Sequence, residues 1–134
     1  LHQGAVGAGV DIAPGETLTG VLKNDVVDDH PDTGALIAGL RIPQWDFILE
    51  SAARGYEVTG LGYLGVDMVI DADRGPLMLE MNARPGLNIQ IANGAGLSNR
   101  IRRIDEIYDA TATPAERAVI ARREFSADRQ MQML

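Results

Sequence analysis

Cysteine is absent from the 134 residues, which excludes a disulfide framework and thiolate-held metals. Aromatic residues make up only 4%, so a core has to come from Val, Ile, Leu, Met and Ala. No apolar run has the length of a membrane span, and no signal-peptide pattern opens the chain, so no membrane partner is expected and the cytoplasm is the expected location. Lys and Arg number 12 against 19 Asp and Glu, a net charge of −7, and no basic block stands out. That argues against nucleic acid, whose binding rests on neutralising phosphates. An acidic chain that takes an anionic ligand calls for a bridging cation. No Gly-Lys-Ser/Thr occurs, so there is no Walker loop, and the early glycines do not lead into a helix as a dinucleotide fingerprint requires.

What is present suits a single domain over 1–134, with 46% hydrophobic residues. The chain opens at Leu1 without Met and enters a strand directly, as a fragment of a larger protein would. In Leu1 to Ile12, Val6, Val10 and Ile12 alternate with small or polar residues. Gly4, Gly7 and Gly9 mark the close approach of a ligand or of another backbone; Gly4 and Gly7 are the candidate cofactor contacts, for a phosphate, and a glycine-rich strand packed against a neighbour is the other reading. Ala13 to Glu16 reads as a turn, and Thr17 to Lys23 as the returning strand. Asn24 to Asp29 extends the sheet, His30 to Gly34 is a loop, and Ala35 to Ile42 is a short strand or extended connection. His2 and His30 have no metal-spaced partners, which leaves a metal-dependent phosphatase or nuclease unsupported.

Pro43 suits a first helical turn. Trp45, Ile48, Leu49, Ala52, Ala53 and Tyr56 then follow helical spacing to about Val58, with a stop near Gly60. Asn88 to Ala92 reads as a short helix. Another runs from Ser98, as N-cap, to Tyr108, with Ile101, Ile104 and Tyr108 inward. Thr113-Pro114-Ala115-Glu116 is a capping box. Ala115, Ala118, Val119 and Ile120 supply the apolar side of that last helix, and Arg117, Arg122, Arg123 and Glu124 its solvated face. Residues 98–134 thus form a helical cap and tail, and the class is α+β, a largely antiparallel sheet of two or more hairpins packed with helices.

The richest stretch is Gly62 to Gly86, two apolar runs around Asp71-Ala72-Asp73-Arg74-Gly75. With the turn centred on Asp73 and Arg74, Ile70 faces Leu77, Met68 faces Leu79 and Val66 faces Met81. Those six apolar residues share one face. The other carries Asp67 opposite Glu80, with Asn82 on the same side. Like charges opposed across strands are destabilising, and hard oxygens suit Mg²⁺ or Mn²⁺. Asp67, Glu80 and Asn82 are therefore the candidate metal ligands. A merely solvated acidic face is the competing reading.

The run LGVDMVIDADRGPLMLEMNARPG resembles the metal-binding end of ATP-grasp ligases, an acidic residue on one strand, Glu-x-Asn on the next and Pro-Gly after it. With LHQGAVGAGVDIA, HPDTG and LEMNARPGLNIQIANGAGL, the chain is similar to the alpha-L-glutamate ligase-like branch over roughly Leu1 to Leu97. The resemblance implies the C-terminal half of a catalytic unit, with the lid that grips ATP and the substrate domain lying upstream. It implies that ATP activates a carboxylate as an acyl phosphate, which an amine attacks to give an amide. Glutamate is the implied amino acid, and Mg²⁺ with ATP the implied cofactors. Arg84 shares the parity of Glu80 and Asn82 if the strand continues. It is the candidate catalytic residue, contacting a phosphate or the acyl phosphate; a salt bridge to Glu80 or Asp67 is the other reading. Alone, the fragment is expected to be inactive. The alternative is a non-catalytic nucleotide- or metal-binding module on the same fold.

Overall fold

Two antiparallel hairpins and a layer of helices make up the structure, a computed structural model that describes residues 5–23, 25–86 and 96–128. Strands β1 (Gly7–Asp11), β2 (Glu16–Leu22) and β3 (Asp25–Val27) form one sheet in that order. Its first turn closes where the sequence places it. Asp11 Oδ1 accepts from the Ala13 amide at 3.0 Å, the Gly15 amide donates to Asp11 O at 2.9 Å, and Gly15 takes φ +73, a value that favours glycine. The run 35–42 is the extended connection rather than a strand. Thr17 ties it down, donating its hydroxyl to Ile37 O and accepting from the Leu40 amide at 3.0 Å. Ile37 is thereby buried against Gly20.

Helix α1 (Trp45–Ala53) and the short α2 (Gly55–Thr59) replace the single helix expected from Pro43 onward. Arg54 interrupts the run, and Gly55 is buried where a side chain would strike Leu64 and Met81. Gly60 ends α2 at φ +70, the left-handed stop the sequence indicates. Strands β4 (Gly65–Asp71) and β5 (Gly75–Asn82) form the second hairpin. Helix α3 (Leu97–Ile107) starts behind Gly96, so Ser98 lies inside it and does not cap it. All three residues of its expected inner stripe, Ile101, Ile104 and Tyr108, are exposed, and Tyr108 stands just past its end. Helix α4 (Pro114–Glu124) carries the complete capping box of Thr113 and Glu116. The expected helix at Asn88 to Ala92 lies outside the described residues.

α4 overturns the expected polarity of its faces. Val119 is 65% exposed while Glu124 is only 5% exposed. The side that packs along α1 is the one bearing arginines. Arg117 donates to Ala53 O at 3.0 Å and to Ala112 O at 2.6 Å, pairs with Glu57 and lies over the Tyr56 ring. Arg122 donates to Ala13 O at 2.7 Å and pairs with Asp46. Glu124 accepts from Arg103 at 2.9 Å, which ties α4 to α3. The reason is chemical: the end of α1 and the first turn present unpaired carbonyls, and a guanidinium reaches them where an apolar side chain would leave them bare.

The first residues of α1 touch the turns of both hairpins. Trp45 covers Gly15, where an added Cβ would come within 2.5 Å of the indole. Gln44, itself at φ +53, lies against Gly75, where an added Cβ would meet its amide at 2.6 Å. Among the described residues the buried apolar side chains are Val21, Ile37 and Phe125. The fold is held at points more than by one large core.

Candidate functional site

The second hairpin is built on two irregularities that cancel. Asp71 Oδ1 accepts from the amides of Asp73 at 3.0 Å and Arg74 at 2.9 Å, and Gly75 pairs with Asp71 at φ +76. The turn is therefore three residues long. A two-residue turn at Asp73 and Arg74 would need an arginine at positive φ, whereas Gly75 takes that conformation without strain. The longer turn shifts the expected register by one near the tip, pairing Ile70 with Pro76, Val69 with Leu77 and Met68 with Met78. A bulge at Leu79 then restores it, so Asp67 pairs with Glu80 and Val66 with Met81.

The apolar layer is corrected accordingly. By register, Val66, Met68, Ile70, Pro76, Met78 and Met81 share the back face. Leu77 moves to the carboxylate face beside Val69, and Leu79, at the bulge, is 64% exposed. The backing is also less buried than expected, since Ile70 and Met78 remain exposed.

On the front face the three expected side chains come together. Asn82 Nδ2 donates to Glu80 Oε1 at 2.9 Å and to Asp67 Oδ2 at 3.3 Å. Two carboxylates thus converge on one donor group, which stands where positive charge is called for. Asp67 and Glu80 are exposed and Asn82 is half-buried. No cluster of three or more His, Cys, Asp or Glu occurs among the described residues, so the donor set is two carboxylates and an amide. That composition fits a hard divalent cation that brings its own phosphate and water ligands.

The remaining candidates are not gathered there. The strand ends at Asn82, so Arg84 does not continue its parity. It stands exposed in the exit bend, and among the described residues it makes no ion pair with Asp67 or Glu80. Pro85 folds back over Gly65, where an added Cβ would lie 2.7 Å from it, which gives the sharp exit that Pro-Gly suggests. Gly7 sits in the other sheet, paired with Val21, and Gly4 lies outside the described residues. His30 spends its ring on its own loop, Nδ1 accepting from the Asp32 amide at 3.3 Å.

A cavity of about 650 Å³ opens behind the hairpin, between α1, α2, α3 and α4. Val66 lines it, but Asp67, Glu80 and Asn82 do not, so it is separate from the carboxylate face. Shifted carboxyls also lie on the helical side. The hydrogen bond from Arg117 holds Glu57 below the usual range, and those from the Thr113 backbone and hydroxyl do the same for Glu116. The hydrogen bond with Tyr56 pushes Tyr108 up. The arginine contacts of α4 and the seating of both turns on α1 escaped the sequence reading. The available signal was a pair of arginines five apart on a helix whose apolar residues are mostly alanine.

A family described as sugar-transfer associated ATP-grasp matches residues 1–106. No curated protein and no solved structure matches the chain. The match carries the superfamily and the α+β class that the hairpin motif implied; it does not carry glutamate as the amino acid.

Proposed function

The chain belongs to the sugar-transfer associated ATP-grasp family, and from that membership we propose that it supplies the metal-holding wall of an ATP-dependent carboxylate–amine ligase. Asp67, Glu80 and Asn82 are the proposed ligands of Mg²⁺. The observation that carries this is the convergence of Asp67 and Glu80 on the Asn82 amide. A bound Mg²⁺ supplies neutralisation of the charge that develops between the β- and γ-phosphates of ATP. The chain's own part is to hold the oxygens. Adjacent strands fix the two carboxylates opposite one another, and the amide, whose other end is an acceptor, completes the set.

Arg84, exposed in the bend after this face and, among the described residues, making no ion pair with Asp67 or Glu80, is the proposed contact for a phosphate or acyl phosphate. Gly7, with Gly4, is the proposed backbone approach to the nucleotide. The reaction proposed is activation of a carboxylate as an acyl phosphate, followed by attack of an amine, with glutamate as the amino acid by resemblance. The second reading is a module that binds metal–nucleotide without turnover, favoured by the high exposure of Asp67 and Glu80.

The test is a thermal shift with ATP and Mg²⁺ on the protein at its full encoded length, wild type against Glu80→Ala with Asn82→Ala. At a hundredfold excess over Kd the wild type gains about 2.7 kcal/mol, and the double variant gains almost none. An equal response in both sinks the metal assignment. ADP release that depends on an added amine distinguishes the ligase from the binding module.

A further inference from the structure

Both hairpins are fixed at their turns, and the proposed ligand groups lie toward their open ends. The turn of β1 and β2 is held with unusual completeness. Trp45 Nε1 donates to Ile12 O at 2.8 Å, Arg122 Nε to Ala13 O at 2.7 Å, and the Ile42 amide to Gly15 O at 2.8 Å. Each of these carbonyls is taken by a different part of the chain. Asp11 Oδ1 adds a bond from the Ala127 amide at 3.1 Å. The second arm of Arg122 pairs with Asp46 in the first turn of α1. One guanidinium therefore joins α4, the turn and α1. Arg122 also lies beyond the family match, which ends at residue 106.

We infer that Arg122 is a positioning residue, through which a helix outside the family match aims the first hairpin at the nucleotide. The inference rests on the reading of Gly7 given above. Gly7 stands at the opposite end of β1 from the turn, about 16 Å away at the rise of an extended strand. A tilt of about 5° at the turn moves Gly7 by roughly 1 Å, which is enough to matter for a backbone that approaches a ligand closely. Lysine does not replace the arginine, because a single ammonium lacks the planar fork that reaches a carbonyl and a carboxylate together. Among the described residues no hydrogen bond or ion pair of Arg122 reaches the second hairpin, so the larger effect falls on the first.

The test combines amide hydrogen exchange with ATP–Mg²⁺ affinity on the protein at its full encoded length. In Arg122→Ala, exchange at Gly15 and Thr17 rises by at least roughly tenfold while exchange in β4 and β5 stays as in wild type. The Kd for ATP–Mg²⁺ rises roughly tenfold, within the range over which sites couple through a shared element. Asp46→Ala, which leaves the bond to Ala13 O in place, changes Kd by less than half as much. If Arg122→Ala does not fold, Arg122→Lys carries the same two readouts. Faster exchange throughout the molecule, or an unchanged Kd beside a loosened turn, overturns the inference while the metal reading stands on Glu80→Ala with Asn82→Ala. A wild-type protein that takes no ATP–Mg²⁺ overturns the reading of the site and this inference with it.

Discussion

The two hairpins use similar turns for different ends. Each turn has a glycine at nearly the same left-handed angle, Gly15 at φ +73 and Gly75 at φ +76, and each rests on the start of α1. Gly15 lies under the rigid face of Trp45, and its own carbonyl and those of Ile12 and Ala13 are taken by three parts of the chain. At Gly75 the nearest atoms to an added Cβ belong to the flexible end of Gln44. Among the described residues the first hairpin gains a third strand, whereas the second is a pair. The contrast teaches that one hairpin is built for position and the other for display. The second accepts opposed carboxylates because little else is asked of it.

Substitution of the two glycines tests the contrast most sharply. Gly15→Ala loses about 3 kcal/mol, combining left-handed strain with overlap on a fixed ring. Gly75→Ala loses about 1.5 kcal/mol, because strain remains while the Gln44 amide swings aside. Urea titration of both variants measures the difference. Equal losses would mean that Trp45 yields as easily as Gln44 and that the first turn is not specially held.

The helix that holds the first turn gives the next largest effect. Thr113→Ala removes the cap of α4 and costs about 1 kcal/mol in thermal or urea unfolding. The same helix brings a pH dependence. Hydrogen bonds from Thr113 hold Glu116 below the usual carboxylate range, and the bond from Arg117 does so for Glu57. The folded values are the lower ones, so this stabilisation is complete above the unfolded carboxylate range, about pH 4.3. It is lost as pH falls through the folded values. Glu116→Gln therefore flattens the fall of melting temperature below about pH 4.5. An unchanged slope would remove Glu116 from the account.

The smallest effect has the opposite sign. Glu80→Gln relieves the like-charge pairing with Asp67 and stabilises the metal-free protein by about 0.5 kcal/mol. It also diminishes the response to Mg²⁺ with ATP. A variant destabilised without cation would show that the carboxylates serve the hairpin and not a ligand.

The carboxylate face of the second hairpin is legible in the residues; the seating of the two turns on α1 is not. Alternation puts Asp67, Glu80 and Asn82 on one face, but the expected pairing of Asp67 with Glu80 rests on a two-residue turn that does not form and is kept because the bulge at Leu79 offsets the longer turn. The capping box of Thr113 and the stop at Gly60 were equally plain, because each depends on neighbours a few residues away. The tip of the hairpin was misplaced because Gly75 claims the left-handed position that Asp73 and Arg74 cannot fill cheaply. Leu77 and Leu79 changed faces as a result. Arg123 keeps the solvated place expected of it, whereas Arg117 and Arg122 turn inward against the rule that charge marks the solvent side. Here the carbonyls that draw them in belong to Ala53 and Ala13, distant in sequence and unremarkable in composition. Arg84 lost its strand parity because pairing stops at Asn82 and Pro85 turns the chain.

The bulge at Leu79 has one more consequence. It separates the hairpin into two independently aligned halves. A chain that lost Leu79 would run in regular register from Gly75 to Asn82 and still set Asp67 against Glu80. A chain that shortened the loop between Asp71 and Gly75 by one residue, leaving that pair in place, would do the same. A change of length confined to the loop or to the bulge is thus silent at the carboxylates so long as Asp71 still pairs with Gly75.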